Sequence, residues 1–593
     1  MIRTPLRPLA RILEARAKGE NPDTIERENT RARHEDMRDR ARARAEGRLL
    51  VLGVMFFCAF AVIGARMGLM ASSDPAEPRA RASTAEIITQ RADIVDRRGR
   101  VLATNFETHS LYAHPQQMIE PKRVAKGLVS IFPDLDEARL LKDLTGKRKF
   151  VWIKKKISPE QKQAVFDIGD PGLLFGPREM RLFPNGKLAA HVMGGASFGK
   201  EGVDAAEVIG VAGVENTFDG FLRDPANNGQ PLQLSLDMTV QAAAERVLYG
   251  GMRLMNAKGA AAVLMDVHTG EVLSLVSLPD FDPNDRPRPP TEGAPDDSPL
   301  FNRAVQGVYE LGSTFKIFTI AQAMELGLVN PSTMINTRGP LKWGKHRIRD
   351  FHNYGKELSV TKVIVKSSNI GTARVAQMIG AKRQKDFLRA LGLMDRVPVE
   401  IVEAKGSTPL LPPNWSEIST MTISYGHGIS VSPMHLAAGY AAIANGGTKV
   451  EPTLLKRNGP QYGPRVMSPQ VAAASRDMLR KVVTEGTASF GEVPGYAVGG
   501  KTGSADKPKP RGGYYKNKLI STFAAIFPAH DPKYVLVVSL DEPEIFSHGE
   551  TRRTAGWTAV PVAAEMINRV APLLGLRPEV EPGQLAGITL TSN

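Results

Sequence analysis

The sequence predicts an α+β protein that one helix near the N-terminus anchors in a membrane. An uncharged run, LLVLGVMFFCAFAVIGA, occupies residues 49–65. Two pairs of apolar segments, each pair joined by turn residues, lie near the beginning and the end of residues 232–575, and each pair predicts a β-hairpin. Helical patterns fill the stretch between them. A sheet built from both ends of a domain, with helices inserted between its strands, is typical of the α+β class.

The uncharged run is the predicted membrane helix. A helix needs about 20 apolar residues to span a bilayer. The run supplies 17, and MGLMA extends it to residue 71 because the long side chain of Arg66 can reach the interface. We therefore assign the transmembrane segment to residues 49–71.

Charge sets the orientation of this helix. Residues 1–48 hold 13 Arg and Lys against 9 Asp and Glu, a net charge of +4. The positive-inside rule places this Arg-rich tail in the cytoplasm and the rest of the chain outside. A tail of 48 residues is far too long for the n-region of a cleaved signal peptide, so the run is predicted to remain as a signal anchor.

Composition narrows the functional classes. The chain has 593 residues, enough for two to four domains, and a formal net charge of +15. A basic chain can bind nucleic acid, but the outward orientation and the absence of a nucleic-acid-binding motif exclude that partner for most of the chain. Cys58, the only cysteine, lies in the uncharged run, so the rest of the chain can form no disulfide. The sequence has no cluster of metal-ligand residues, and we predict neither metal nor cofactor.

The part of the chain beyond the membrane divides by composition. A polar stretch, SSDPAEPRARAST, predicts a linker. Strand-like pieces and short helices follow it, and then a longer α/β pattern. We expect a linker, a first domain, a second domain and a C-terminal tail at residues 72–84, 85–231, 232–575 and 576–593.

The second domain carries the clearest elements. One hairpin pairs GAAAVLMDV with GEVLSLVSL around HTG, and the other pairs STFAAIFPA with KYVLVVSLD around HDP. Helical spacing predicts helices at residues 314–326, 359–379 and 433–445.

A serine and a lysine three residues apart lie where the first of these helices begins. Residues three apart share a helix face, so Ser313 and Lys316 can point into one pocket. A serine alcohol needs a base to act as a nucleophile, and a lysine serves only if burial or a nearby cation lowers its pKa. The free N–H groups at a helix start can stabilise an oxyanion. The alternative is a helix cap beside a solvated lysine.

The Ser-x-x-Lys pattern alone is weak, since it occurs four times in the chain. Ser197 lies between glycines, a poor helix start, while Ser359 is the expected N-cap of its helix. Ser504 follows a predicted strand. Ser313 differs from these three because two further motifs follow it in order.

Those motifs are Ser-x-Asn and Lys-Thr-Gly. KSSNIG places Ser367 54 residues after Ser313, and VGGKTGSA places Lys501 132 residues after Asn369. This ordered trio resembles the signature of penicillin-binding proteins and class A β-lactamases. The resemblance implies that Ser367 shuttles a proton and that Asn369 binds a substrate amide.

The third motif has its own chemical rationale. The charge of Lys501 would favour a neutral Lys316 and attract a carboxylate. Thr502 and Ser504 offer hydroxyl groups to that carboxylate, and Gly503 lets a substrate backbone approach a strand edge. The family mostly has Thr where this chain has Ser504, but the hydroxyl is retained.

The resemblance extends to the class B penicillin-binding proteins, and it spans residues 91 to about 545. RADIVDRRGRVLATN, RLFPNGKLAAHVMG and GVAGVENTFDGFL resemble motifs of the family's pedestal domain, apart from Ala92 where the family usually has Gly. Their polar residues are expected to hold the pedestal together. The resemblance implies an elongated, dimerisation-type pedestal domain followed by a penicillin-binding transpeptidase domain with a central antiparallel sheet flanked by helices.

Within class B, the chain is most similar to the division-specific, FtsI-like branch. SYGHGISVSP resembles that branch's Tyr-Gly-x-Gly segment. His427 in this segment is expected to be a loop residue near the site, because Ser–Lys chemistry needs no imidazole.

The resemblance implies a D,D-transpeptidase that cross-links peptidoglycan stem peptides through a Ser313 acyl-enzyme and that β-lactams trap. It also implies a septal location in the inner membrane, with a membrane glycan polymerase of the SEDS type and bitopic division proteins as partners. The alternatives are an elongation-type class B enzyme and a β-lactam-binding receptor or scaffold with little catalysis. A β-lactamase is disfavoured by the anchor and the length, and a bifunctional class A protein by the pedestal motifs.

Overall fold

The structure is a computed structural model, and it describes residues 7–72, 91–201, 206–509 and 512–579. The chain forms two compact units. The first contains the described residues up to 72 together with residues 113–152 and 168–174, and the second contains the remainder.

Two helices form the N-terminal part of the first unit, α1 (Arg7–Ala17) and α2 (Pro22–Ser72). Residues Glu46–Met67 of α2 are, among the described residues, the one helical segment long and apolar enough to cross a membrane. The predicted segment 49–71 lies within α2. The Arg-rich stretch before it is helical and exposed, and ion pairs such as Arg31–Glu35 and Arg42–Glu46 join successive turns.

The region before residue 236 combines a small mixed sheet with short helices. Strand β1 pairs antiparallel with β2 and parallel with β7, and β2 also pairs with β3 and β4. The strands are β1 (Ile94–Val95), β2 (Val101–Ala113), β3 (Val151–Ile157), β4 (Leu173–Leu182), β5 (Gly195–Glu201), β6 (Ala206–Ala212) and β7 (Leu232–Gln233). The helices are α3 (Pro121–Ile131), α4 (Glu137–Leu144), α5 (Pro159–Phe166), α6 (Ala190–Met193), α7 (Gly213–Thr217) and α8 (Asp219–Arg223).

A buried ion network holds this region together. Glu215 accepts from Arg91 at 2.7 Å and from Arg181 at 2.6 Å, and all three side chains are at most 2% exposed. Asp96 accepts backbone N–H bonds from Arg98 and from Met238, which begins the first helix of the next domain. The expectation that these motif residues serve structure is thus confirmed.

A five-stranded antiparallel sheet forms the centre of residues 232–575, the predicted second domain. Its strands are β8 (Gly259–Asp266), β9 (Val272–Leu278), β14 (Gly499–Pro508), β15 (Tyr514–Phe527) and β16 (Tyr534–Asp541), in the order β14-β15-β16-β8-β9. Nearly every residue of β8, β9 and β16 is buried. Because strand side chains alternate between faces, both faces of the sheet are covered. β14 forms one edge.

The helices that accompany this sheet are α9 (Met238–Leu254), α10 (Lys316–Glu325), α11 (Val360–Val365), α12 (Asn369–Ile379), α13 (Ala381–Ala390), α14 (Glu417–Ile423), α15 (Pro433–Ala444), α16 (Pro469–Glu485) and α17 (Ala559–Leu573). Helices α9, α15, α16 and α17 pack against the sheet, and the other helices pack beside them. Short strands complete the domain: β10 (Met334–Asn336), β11 (Leu341–Trp343), β12 (His346–Ile348), β13 (Glu357–Ser359), β17 (Ile545–Ser547) and β18 (Glu550–Arg552).

Both predicted hairpins are confirmed, with Val263 opposite Leu275 and Ala524 opposite Val537. The prediction of one continuous helix over residues 359–379 is wrong. The chain leaves the helix after Val365 and re-enters it at Asn369, because Ser367 adopts a left-handed conformation with φ of 61°.

Candidate active site

Ser313 lies in a 3₁₀ turn, Gly312–Phe315, that leads directly into α10. The turn is wedged between two backbone segments. A Cβ atom on Gly312 would lie 3.0 Å from the carbonyl oxygen of Ser504, and one on Gly426 would lie 2.1 Å from the carbonyl oxygen of Gly312. Both glycines have positive φ. The packing therefore brings the Ser313 turn against strand β14.

The side chain of Lys316 is fully buried one turn beyond Ser313. Its Nζ donates to the carbonyl oxygen of Ser367 and, at 3.0 Å, to the Ser367 hydroxyl. Lys501 Nζ donates to the same hydroxyl at 3.0 Å and to the Thr502 carbonyl oxygen at 3.1 Å. The Ser367 hydroxyl therefore lies between two amines. Between the described side chains of Ser313 and Lys316 themselves there is no direct hydrogen bond.

Burial changes the protonation of both amines. It lowers the pKa of Lys316 well below its usual 10.5, and the neighbouring charge of Lys501 lowers it further, while Asp350 opposes the shift. Burial lowers the pKa of Lys501 to about 7. A lysine whose pKa falls in this way can be neutral at working pH and accept a proton.

The left-handed conformation places the Ser367 hydroxyl between these amines. Ser367 N–H donates to Ile364 O at 3.1 Å, which closes the end of α11. Ser368 then caps α12 by accepting from Gly371 N at 2.9 Å. A serine held at positive φ costs roughly 1–3 kcal/mol, and such strain clusters at functional sites.

Asn369, the first residue of α12, is half-buried beside this turn. Its amide donates to the Arg349 carbonyl oxygen at 3.0 Å. Asp350, which sequence reasoning missed, accepts from the Ser368 hydroxyl at 2.7 Å and from Ile370 N at 3.0 Å. Nothing in the sequence marked Asp350, because its contact with this turn arises only on folding.

Strand β14 presents the Lys-Thr-Gly motif along the other side of the site. Thr502 and Ser504 are two residues apart and so lie on one face of the strand. Thr502 Oγ1 is 2.7 Å from Thr487 Oγ1, and Ser504 Oγ accepts from Ala555 N at 2.9 Å. The sequence predicts that Ser504 follows a strand, but it lies within β14.

Gly503 is packed against the protein itself. A Cβ atom there would lie 2.1 Å from the Leu311 carbonyl oxygen and 2.8 Å from Thr314 Cγ2, so only glycine lets β14 approach the Ser313 turn this closely. This gives Gly503 a role inside the fold, in addition to the predicted approach of a substrate backbone.

We expect Gly503→Ala to separate β14 from the Ser313 turn. Overpacking of this kind costs about 1–3 kcal/mol. The change should lower both the Tm and the rate of Ser313 acylation. Gly220→Ala is the matched control, because a Cβ atom at Gly220 would meet open space and the residue has no positive φ. Gly512 also has open space, but its positive φ would add strain of its own to a Gly512→Ala variant. Acylation of Gly503→Ala at the wild-type rate would contradict this packing.

His427 lies on the loop between α14 and α15, as expected for a residue near the site. Its Nδ1 is 3.0 Å from Glu310 Oε2. The other carboxylate oxygen of Glu310 accepts from Gly428 N at 2.8 Å and from the Tyr514 hydroxyl at 3.0 Å. Glu310 thus ties that loop and β15 to the segment before Ser313. Sequence reasoning missed Glu310, although it lies only three residues from Ser313.

The site therefore unites residues from all three motifs. Lys316 and Lys501 both reach Ser367, and the backbone of Ser504 lies against the Ser313 turn. Asn369 borders the same turn as Ser367. The arrangement of the site suits nucleophilic catalysis, because it combines a serine at a helix start, a buried amine, and a hydroxyl that links two amines.

Comparisons with known proteins identify the family of the chain. Residues 260–567 match the family model described as the penicillin binding protein transpeptidase domain, and residues 86–230 match the penicillin-binding protein dimerisation domain.

Three named relatives cover most of the chain. The probable peptidoglycan D,D-transpeptidase FtsI of Caulobacter vibrioides is 34% identical over 93% of both chains. The probable peptidoglycan D,D-transpeptidase PenA of Neisseria meningitidis is 33% identical over 82% of this chain and 85% of its own. The peptidoglycan D,D-transpeptidase FtsI of Escherichia coli is 26% identical over 83% of this chain and 85% of its own.

Proposed function

Because this chain belongs to the penicillin-binding protein transpeptidases, we propose that it cross-links peptidoglycan stem peptides through an acyl-enzyme on Ser313. The observation that carries the proposal is the Ser367 hydroxyl held between the amines of Lys316 and Lys501, beside the Ser313 turn. This network connects a base, a proton carrier and a cation in one place. No metal or cofactor is required for the chemistry.

In the first half-reaction, neutral Lys316 takes the proton of the Ser313 hydroxyl. The Ser313 oxygen forms a bond to the carbonyl carbon of the penultimate D-Ala, and the bond from that carbon to the terminal D-Ala nitrogen breaks. Backbone N–H groups of Ser313 and Ser504 stabilise the oxyanion, consistent with the close approach of the Gly312 and Ser504 backbones.

Ser367 delivers the proton to the leaving amine. Its oxygen can accept from Lys316 and Lys501 at the same time, which leaves its own O–H free to donate. The terminal D-Ala, which now carries a free amine, then leaves the site. Lys316 supplies the proton that Ser367 passes on, so the network regains its starting charge.

In the second half-reaction, an amine of a neighbouring stem peptide attacks the Ser313 ester. A new amide bond forms as the ester bond breaks, and the amine proton returns through Ser367 and Lys316 to the Ser313 oxygen. The product is a 4→3 cross-link.

Substrate binding follows from the position of β14 at an edge of its sheet. An edge strand offers unpaired backbone groups to an extended peptide. The Thr502 and Ser504 hydroxyls and the Lys501 charge receive the terminal carboxylate, and Asn369 binds a backbone amide of the donor. A β-lactam presents the same carboxylate and acyl carbon, and so acylates Ser313 without a ready leaving group.

We assign the enzyme to septal wall synthesis, since two of the relatives carry the name FtsI. The Arg-rich tail lies in the cytoplasm, and the sheet-containing domain lies outside the inner membrane. A SEDS-type glycan polymerase and bitopic division proteins are the proposed partners. Depletion from cells should give filaments; round or swollen cells would instead favour the elongation role.

Cross-linking by membranes that contain the full chain tests the enzymatic proposal. Supplied with glycan strands that carry pentapeptide stems, the wild type should release D-Ala and form 4→3 cross-links, and Ser313→Ala should do neither. Ser359→Ala is the matched control, because Ser359 has the same spacing to a lysine but caps α11. Release of D-Ala without cross-links would mean a carboxypeptidase, and no release by folded protein would favour a receptor.

A further inference from the structure

The hydroxyl of Thr487 belongs to none of the three motifs but reaches the Lys-Thr-Gly strand. Thr487 follows α16 and is exposed at the edge of the site. Its Oγ1 is 2.7 Å from Thr502 Oγ1, and Thr502 is the one described residue that bonds to this hydroxyl. The contact joins residues that are 15 apart in sequence.

The backbone holds Thr487 firmly in this place. A Cβ atom on Gly486 would lie 2.6 Å from the Val365 carbonyl oxygen, and one on Gly556 would lie 2.7 Å from the Thr487 carbonyl oxygen. Thr487 therefore lies between the end of α11, which leads to Ser367, and the turn that contains Ala555. Both neighbours belong to the site.

Either hydroxyl of the Thr487–Thr502 pair could donate the hydrogen bond between them. A hydroxyl has one proton to donate, so Thr502 cannot donate both to Thr487 and to a bound carboxylate. Ser504, two residues further along β14, shows how the strand treats its other hydroxyl. Ser504 Oγ accepts from the backbone N–H of Ala555, which leaves the Ser504 proton free for a ligand.

We propose that Thr487 is a positioning residue for the proposed carboxylate contact: its hydroxyl donates to Thr502 and so directs the Thr502 proton toward the substrate carboxylate. Thr487 then donates to the Thr502 oxygen and leaves the Thr502 proton free, as the Ala555 N–H does for Ser504. Lys501 Nζ approaches Thr502 Oγ1 only at 3.4 Å, and it makes shorter contacts with Ser367 Oγ and Thr502 O. The Thr487 hydroxyl is thus closer to Thr502 Oγ1 than the Lys501 amine is, and it is the better placed of the two to donate.

Hydrogen bonds in series strengthen one another, and a chain that ends on a carboxylate is charge-assisted. The ligands concerned are the C-terminal carboxylate of the stem peptide and the carboxylate of a β-lactam. The inference rests on the proposed function, since it concerns how that site orients its acyl donor.

The test compares two probes on the full-length protein in detergent. Benzylpenicillin carries a carboxylate, and its methyl ester does not. Thr487→Val keeps the shape of the side chain and removes the hydroxyl. We expect it to lower the second-order rate of acylation by benzylpenicillin about tenfold and to leave the slower reaction with the methyl ester within about twofold of wild type.

Thr487→Ser is the matched control, since it keeps the hydroxyl, and should stay within about threefold of wild type with both probes. An equal loss with both probes would show a general disturbance of the site and overturn the proposal, as would no loss with either. The two proposals fail separately. If wild-type Ser313 reacts with neither probe, the proposed function is wrong; if it reacts normally in Thr487→Val, only the positioning role is wrong.

Discussion

Lys316→Arg is expected to lower acylation of Ser313 by about 10³-fold while the protein stays folded. Arginine keeps a positive charge but cannot be deprotonated in a protein, so it cannot act as a base. Because Lys316 is fully buried and beside Lys501, the wild-type amine has a lowered pKa and can take the Ser313 proton. The rate is measured with a fluorescent penicillin.

Two further variants distinguish the loss of the base from other effects of a substitution. Lys362→Arg has the same spacing to a preceding serine, but Lys362 is exposed and paired with Glu485 at 2.6 Å, and we expect acylation at the wild-type rate. Lys316→Met, which removes the buried amine, should be as inactive as Lys316→Arg and no less stable than wild type. A folded Lys316→Arg protein that reacts within tenfold of wild type would assign the base to another group.

Lys501→Met is expected to stabilise the protein, and to do so in a pH-dependent way. Burial lowers the pKa of Lys501 from 10.5 to about 7. Between these two pH values the unfolded state binds the Lys501 proton and the folded state does not. The free energy of unfolding of the wild type therefore rises by about 1.4 kcal/mol per pH unit in this window through Lys501 alone.

The variant lacks this contribution. Its advantage over the wild type should be largest below pH 7, shrink as the pH rises, and vanish above pH 10.5, where neither state of the wild type binds the proton. Tm values from pH 6 to 10 measure this difference, with Lys362→Met as the exposed control. An advantage that is independent of pH would contradict the lowered pKa. The same variant should bind carboxylate-bearing β-lactams poorly. Lys501 therefore lowers the stability of the wild type but is needed for ligand binding.

The sequence predicts the scaffold well where patterns are local. The hairpin at Val263 and Leu275 follows from apolar runs joined by a turn, and the N-cap at Ser359 from a hydroxyl at a helix start. The resemblance to class B penicillin-binding proteins is confirmed by the matches over residues 86–230 and 260–567. Local periodicity and an ordered trio of motifs are sufficient for these conclusions.

Prediction from the sequence fails where a residue adopts a backbone conformation that its type rarely takes. Helical patterns lie on both sides of residues 366–368, and only the tertiary structure shows that Ser367 has a φ of 61°. That single residue divides the expected helix and turns its hydroxyl toward two amines. Strained positions of this kind are recognised from coordinates, because a serine in a sequence does not by itself predict a positive φ.

Contacts between distant segments were equally invisible. Asp350 reaches Ser368, Thr487 reaches Thr502, and Glu310 reaches Gly428. Each of these is an ordinary polar residue in a loop or turn, and its role depends on where the chain returns. The motif residues themselves could be named from the sequence, but the groups that orient them could not.

The most direct test of the central claim is the site of a penicillin adduct on the full-length protein. Membranes containing the chain are labelled with a fluorescent penicillin, digested, and the adduct is located by mass spectrometry. We predict one long-lived adduct on Ser313 that is absent from Ser313→Ala and present in Ser359→Ala. An adduct on another residue, or labelling that persists in Ser313→Ala, would contradict the assignment of Ser313 as the nucleophile.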